Sequence, residues 1–580
     1  MTRLLLGVVV LILGLLVGIP VASVLSQALS PGGRDVLVWF STSPAGHTIF
    51  TNTVVLGLTV GAVGTSVAFI LAYAQARMKF PGQRIIHILT MVPIISPPFA
   101  VAAATIHLFG RRGIISWGIF GERSDAIYGL PGLTFVLALS YLPLAYINLL
   151  GMLRSLDPAH EEAASSLGAS KFRVFRTVTL PMLVPGFGGA FLLLFVEAIS
   201  DLSNPLVLGG DYHVLASRAF LAISGGGADF TRGAVYALIL MVPAVLVFAV
   251  QRYWAGRGAV VSITGKPSGT HRRERIPAVV VPVLTVVYAV AGTILMLYGT
   301  IVVGAFVPGL GQFGSMFAAL RTGEDFSQAA ADVEFTAESI RYVLTGAGQD
   351  AVFDTVRLAI IATPLAGLLG MIIAWLVVTR IRRGAALLDF AGMLGLAIPG
   401  TVLGIGYVLA YSSPTTIAGV PVLPQLVFGS AFLGGAAAIV MAYASGSSPA
   451  GQRSGIAALR QLDPTLEEAS QSLGVSTAGT FRKITLPLIR PAFMVGLMYA
   501  FAQAMTSVSA IIFLQTAEIN ILTFQIYTEI ERARYTNAFA FCVVLMVIVL
   551  TAMLIIHLLT GKRTSRPPGN RGFSGSERTG

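Results

Sequence analysis

Cysteine is nearly absent: the 580 residues hold a single one, Cys542, inside the apolar run FCVVLMVIVL. That excludes an internal disulfide and leaves no thiolate cluster to propose as a metal site, so Cys542 reads as a packing residue. Charge is scarce as well. Asp, Glu, Lys and Arg make up 11% of the chain, against roughly a quarter in soluble domains, which leaves little sequence for a water-soluble domain. A phosphate-binding loop is missing too. The motif G-x-x-x-x-G-K-[ST] fails at both near matches, because Pro267 follows Gly265-Lys266 and Arg563 follows Gly561-Lys562. The net charge of +12 is not gathered into one basic patch with interleaved aromatics, so a nucleic-acid groove is not expected.

What is abundant is apolar sequence. Hydrophobic residues reach 55%, mean hydropathy is +0.81, and runs of about 20 apolar residues, enough for one bilayer crossing, recur throughout. They predict an all-α membrane protein of about twelve transmembrane helices, near 4–28, 50–75, 85–109, 132–153, 184–207, 233–252, 277–306, 353–379, 385–411, 423–447, 490–514 and 536–559. The first is too long for the h-region of a signal peptide and is expected to be retained. Arg and Lys fall mostly in alternate short loops, around 77–84, 154–176, 252–275, 380–383 and 453–490 and in the tail from Lys562. By the positive-inside rule these loops and both termini are expected in the cytoplasm. The long segment 307–352, with Glu324, Asp325, Asp332, Glu334, Glu338 and Asp350, is expected outside.

An internal repeat fixes the architecture. LDPAHEEAASSLGASKFRVFRTVTLPMLVP at 156–185 aligns without a gap to LDPTLEEASQSLGVSTAGTFRKITLPLIRP at 462–491, and Pro93 and Pro399 share the same 306-residue offset. Both copies lie among basic residues, so an even number of crossings separates them. Six fits, and the repeat is parallel rather than inverted. The expected division is a first half over 1–260, a basic linker at 261–276, a second half over 277–562 and a disordered basic tail at 563–580.

Each copy reads as two short helices meeting at a glycine. Asp157-Pro158 and Asp463-Pro464 have the form of an N-cap followed by a first helical residue without an N–H to lose. Glu161 and Glu162 sit where negative charge suits the helix dipole, and Gly168 or Gly474 can take the left-handed conformation that ends the helix. Ser170 or Ser476 can cap the next helix, which is expected to stop at Leu180-Pro181 or Leu486-Pro487.

These residues resemble the signature of ABC-importer inner-membrane permeases of the MetI-like (type I) fold: EAA, three residues, G, nine residues, then I-x-LP. The first copy matches as Glu162, Ala163, Ala164, Gly168, Val178, Leu180 and Pro181, and the second as Glu468, Ala469, Ser470, Gly474, Ile484, Leu486 and Pro487. The MetI-like cores would span about 50–255 and 350–560. The resemblance implies that each elbow is a coupling helix docking on a separate ATPase subunit, with Glu161, Glu162, Ala163, Gly168, Leu180 and Pro181, and Glu467, Glu468, Ala469, Gly474, Leu486 and Pro487, carrying the contact. It also implies two ATPase partners, an external binding protein, no cofactor and no catalytic residue on this chain. An ordinary amphipathic pair of interfacial helices would leave the repeat unexplained.

Ionisable groups inside spans mark candidate pathways. Glu197 and Asp201 lie four residues apart on one helical face, with Asn204 following, and the repeat places Gln503 and Ser507 opposite them. The two carboxylates would serve equally as a helix-end cap or an interhelical pair. Tyr141 and His160 read as structural, and Pro93, Pro97, Pro98 and Pro399 either as kinks beside the pathway or, more often, as packing residues. The segment DLSNPLVLGGDYHVLASRAF in a fused two-copy chain resembles ferric-iron permeases, whose sequences read like DFGNPLVLGG, with Leu202 and Ser203 departing from the pattern. That resemblance implies a ferric-iron importer; phosphonate, thiamine and polyamine permeases share the fold, and an ion-driven secondary transporter would leave the elbows without a purpose.

Overall fold

The computed structural model describes residues 2–258, 277–308, 311–323, 327 and 333–561, apart from 226, 382, 418–419, 429–434, 464 and 517. The basic linker and the basic tail therefore lie outside the described residues. Apart from one short antiparallel ribbon, Thr415–Ile417 with Val420–Leu423, the described regular structure is helical.

Among the described residues, eight unbroken helices are long and apolar enough to cross a bilayer: α1 (Arg3–Ala28), α2 (Pro44–Arg77), α8 (Lys171–Ser200), α9 (Phe230–Tyr253), α10 (Pro277–Gly304), α11 (Gln349–Arg380), α16 (Phe481–Thr506) and α17 (Tyr535–Leu558). Three bent pairs are apolar enough to count with them, each as a broken span or a re-entrant segment: α3 (Gln83–Ile95) with α4 (Phe99–Ile119) at 109°, α5 (Leu130–Ser140) with α6 (Leu142–Ser155) at 52°, and α12 (Ala385–Ala397) with α13 (Gly400–Tyr411) at 96°. The short helices α7 (Pro158–Ser166) and α15 (Thr465–Ser472) are the elbows.

The tenth expected span is displaced. Instead of 423–447, the helix is α14 (Ala436–Arg460), and the stretch before it holds the ribbon. Its polar residues Ser445, Ser447, Ser448 and Gln452 are buried, because α14 lies between α11 and α16 rather than against lipid. A helix enclosed by protein does not need the hydropathy that marks a lipid-facing one.

The repeat is visible in the packing. In the first half α2, α6 and α8 lie together; in the second α11, α14 and α16 do. The leading helix of each half crosses to the other. The C-terminal part of α1 packs on α13, and α10 packs on α2, α3 and α4. A π turn at Gly14–Gly18 widens α1 where Tyr407 and Tyr411 donate their hydroxyls to the carbonyls of Leu16 (2.8 Å) and Leu15 (2.7 Å). Widened turns free such carbonyls from the helical ladder. On the other side the Tyr298 hydroxyl meets Ser96 Oγ at 2.6 Å.

The breaks have covalent causes. Ser96-Pro97-Pro98 and Ile398-Pro399-Gly400 interrupt two of the bent pairs, since proline lacks an N–H and pushes its predecessor out of the α region. The expected stop at Leu180-Pro181 does not occur. The chain runs from Lys171 to Ser200 as one helix, and a π turn at Phe175–Thr179 opens the coil just ahead of Pro181. Leu486-Pro487 is accommodated in the same way by a π turn at Phe481–Thr485.

Candidate functional site: two elbows and an interhalf cavity

The first elbow forms as its local chemistry dictates. Asp157 Oδ1 accepts the Ala159 amide at 3.0 Å, Ser170 Oγ accepts the Arg173 amide at 3.4 Å, and Gly168 between them has φ +83°. In the second elbow Asp463 caps Thr465 at 3.0 Å, Ser476 caps Gly479 at 3.2 Å, and Gly474 has φ +75°. A Cβ at either glycine would meet nothing within 4 Å, so the residue type is set by the backbone angle and not by crowding.

Glu161 and Glu162 face differently. Glu162, Ala163 and Gly168 are exposed. Glu161 turns inward, where Arg77 at the end of α2 donates from Nη1 and Nη2 at 2.8 and 2.7 Å and Thr179 Oγ1 at 2.9 Å. Arg77 itself is 5% exposed. Aromatic pairs fasten both elbows to the long helices: Phe175 lies edge-on to Tyr73 at 6.1 Å and Phe481 to Trp375 at 5.3 Å. The signature's Ala164 becomes Ser470, whose hydroxyl meets Thr480 at 2.9 Å; the position of Thr480 is taken by Val174 in the first copy. Leu180 and Leu486 are half-buried, Pro181, Pro487 and Ala469 exposed. The side chains of Glu467 and Glu468 lie outside the described ones. At each tip a leucine stands free, Leu167 at 89% and Leu473 at 83% exposure.

At the far end of α8 lies a cavity of about 210 Å³ between the halves. Its wall includes Glu197, Asp201 and Tyr141 from the first half and Tyr499, Gln503 and Ser507 from the second, with Pro93 and Pro399 beside the two helix breaks. Helices α8 and α16 end alike: Asp201 and Ser507, 306 residues apart, both leave the helix with extended ψ, 123° and 133°. Asn204 does not line the cavity. It is fully buried and donates its amide N–H (2.8 Å) and Nδ2 (3.2 Å) to Asp201 Oδ1, while Tyr141 donates to Oδ2 at 2.7 Å. Asp201 is thus both a cap and an interhelical partner, whereas Glu197 has no hydrogen-bond or ion-pair partner among the described residues. No Lys, Arg, His, Cys or Met lines the cavity among the described residues, and no group of three or more His, Cys, Asp or Glu converges anywhere among them.

The sequence pattern of binding-protein-dependent transport system inner membrane components matches residues 64–257 and again 366–566, one copy over each half. The chain belongs to that family. It is a multi-pass protein of the inner membrane and the permease subunit of an ABC importer. Among similar proteins, the ferric transport system permease protein FbpB of Actinobacillus pleuropneumoniae is 30% identical over 88% of this chain and 71% of its own length. The Fe(3+)-transport system permease protein FbpB 2 of Haemophilus influenzae is 23% identical over 93% of this permease and 95% of its own length. The molybdenum transport system permease protein ModB of Escherichia coli is 27% identical over 32% and 82%.

Two features of the permease have almost no mark in the sequence. Tyr141, which reads as structural, bonds Asp201 and also faces the cavity. Arg77, which reads as a topology residue, closes on Glu161. Only the paired acids EE at 161–162, with one partner needed inside the elbow, hint at the second.

Proposed function

We propose that this permease passes ferric iron inward from an external binding protein, driven by two ATPase subunits docking on the elbows from the cytoplasm. The two halves, 1–260 and 277–562, would then be the two sides of an alternating-access pathway, with both termini in the cytoplasm. The observation that carries the reading is the symmetric pair of elbows, each turning at its glycine into a helix that ends at one interhalf cavity. Closure of the ATPases would draw Leu167 and Leu473 together, and α8 and α16 would transmit that movement to the cavity. In this reading Glu162, Ala163 and Gly168, which are exposed, make the first-elbow contact, while Leu180 and Pro181 continue it into the span. Glu468, Ala469, Gly474, Leu486 and Pro487 are their counterparts, and Glu467 is the counterpart of Glu161.

Iron is supported by the names of relatives matched over most of this chain and by the charge of the cavity. An oxyanion such as phosphonate would meet two carboxylates and no basic group there. The test is ATP hydrolysis by the permease co-purified with its ATPase in lipid discs, with binding proteins added empty or loaded. Stimulation by the ferric-loaded protein is expected. Stimulation by a phosphonate-, thiamine- or polyamine-loaded protein instead would overturn the iron assignment, and failure of any ATPase to associate would overturn the elbow assignment.

A further inference from the structure

We infer that the interhalf cavity is a transit site at which the permease itself binds a hard trivalent cation stripped of its chelator, with Asp201 as a fixed ligand and Glu197 as a free one. This rests on the ferric-iron reading and adds what the cargo touches within the membrane.

The first argument is charge. Two carboxylates face a cavity that contains no basic side chain among the described residues. Ionisable groups at membrane depth are expensive unless something compensates them. Here the lining supplies no such partner, so the charge is left for a cation that enters.

A second and independent observation is a hydroxyl without a partner. Ser203 is 1% exposed, its Oγ makes no hydrogen bond, and it lines the cavity. The hydroxyls of Ser140 and Ser200, also on the wall, are unpartnered as well. Buried polar groups are nearly always satisfied in folded proteins, and orphans gathered on one wall point to a ligand that satisfies them. Together with carboxylate, phenol and amide oxygens they form a donor set in which sulfur and imidazole have no part, the set that hard cations prefer.

The two carboxylates are prepared differently. A carboxylate has about four lone-pair directions. Asp201 has donors on it from Tyr141 and twice from Asn204, with the Ser203 amide also bonding it, so its directions are taken up and it is held in place. Glu197, one turn earlier, keeps all of its own. Tyr141 and Asn204 are therefore positioning residues, acting through Asp201. The size of the cavity sets the form of the cargo: about 210 Å³ is below the roughly 300–1,000 Å³ of pockets for organic ligands, which suits a partly hydrated ion and not an iron chelate. Two carboxylates are also few compared with the six to eight oxygens of a calcium storage site. Such a site binds strongly enough to admit the ion and weakly enough to release it.

The test uses terbium(III), a hard trivalent probe whose luminescence is sensitised by nearby tyrosine; Tyr141 and Tyr499 are both on the wall. The full chain in discs of zwitterionic lipid is titrated without binding protein. Saturable sensitised emission is expected, with affinity reduced at least tenfold in Glu197→Gln and in Asp201→Asn. Gln503→Glu, which adds a third carboxylate from the second half, is expected to tighten binding about tenfold, and as a gain it cannot arise from misfolding. Tyr141→Phe should weaken binding by a smaller factor, and Glu531→Gln at the outer face should leave it unchanged. Titrations that are the same in the parent, Glu197→Gln and Gln503→Glu would overturn the site, as would the absence of emission. If emission is absent while ferric-loaded binding protein still stimulates ATP hydrolysis, this inference falls and the importer reading stands. If terbium binds as expected but ferric-loaded protein never stimulates, the cation site stands and the iron assignment falls.

Discussion

Arg77 holds Glu161 by two parallel hydrogen bonds, 2.8 and 2.7 Å long, between the last residue of a membrane-crossing helix and the elbow beneath it. The pair is largely enclosed, with side-chain exposures of 6% and 25%. Removing one partner leaves a buried charge uncompensated, at about 3–5 kcal/mol. Glu161→Ala is therefore expected to release the elbow from α2, with a lowered unfolding midpoint and loss of stimulated ATP hydrolysis. Glu162→Ala, at the exposed neighbour, is expected to leave the midpoint unchanged. Equal midpoints for the two variants would contradict the assignment.

The leucines at the elbow tips touch little of their own chain, so their replacement tests docking without testing the fold. Leu167→Asp and Leu473→Asp should each leave stability within about 0.5 kcal/mol, as exposed substitutions usually do. ATPase association is expected to weaken at least tenfold in each, as read by co-purification yield and titration. A change in thermal midpoint with association intact would reverse this expectation.

A different joint ties the halves together on the elbow side. Arg252 at the end of α9 pairs with Asp389 of α12, and Gln452 Nε2 donates to Asp389 Oδ1 at 2.7 Å and to its carbonyl at 2.9 Å. Asp389→Ala should cost about 1–3 kcal/mol by leaving Arg252 without its carboxylate acceptor and Gln452 with the backbone carbonyl alone. A double-mutant cycle with Arg252→Gln is expected to give a coupling of about 0.5–3 kcal/mol. Additive effects would show that the pair does not bind the halves to each other.

Acid should loosen the second elbow. The Asp463 carboxyl is held below its ordinary range, chiefly because it accepts the backbone amide of Thr465 and also through the Thr465 side chain. Its folded pKa lies below its unfolded one, so the cap is fully present above the unfolded carboxylate range and is lost as pH falls through the folded value. Hydrogen exchange at the amides of 465–467 is expected to show reduced protection in acid. Asp463→Asn should remove that pH dependence, and a parent profile that is flat with pH would count against the cap.

Sequence periodicity and motif made much of this legible: the duplication, the capped elbows, the glycines at positive φ and the breaks at Pro97-Pro98 and Pro399 all depend on local chemistry. The displaced helix at 436–460 was hidden because enclosure, rather than hydropathy, stabilises it. The continuity of α8 past Pro181 was hidden because a π turn relieves the proline, and that turn has no sequence mark of its own. Arg77 and Tyr141 depend on partners 84 and 60 residues away. The repeat offset also varies. Tyr73 and Trp375, which hold the two elbows, are 302 residues apart and not 306. Pro97 and Pro399, which cap the helices after the two breaks, keep that 302-residue offset, so the second half gains its four residues, about one helical turn, after Pro399.

The absence of both carboxylates from the second copy, which has Gln503 and Ser507 instead, bears on why the halves share one chain. Two identical subunits meeting about an axis would each have brought a Glu and an Asp, placing four negative charges around a space of about 210 Å³. Mutual repulsion would hold such an assembly open when empty, and a trivalent ion would leave it slowly once bound. Joining the copies in one polypeptide allows them to diverge, so that one supplies the charge and the other a neutral wall. Every assembled transporter then has the same odd-sided stoichiometry.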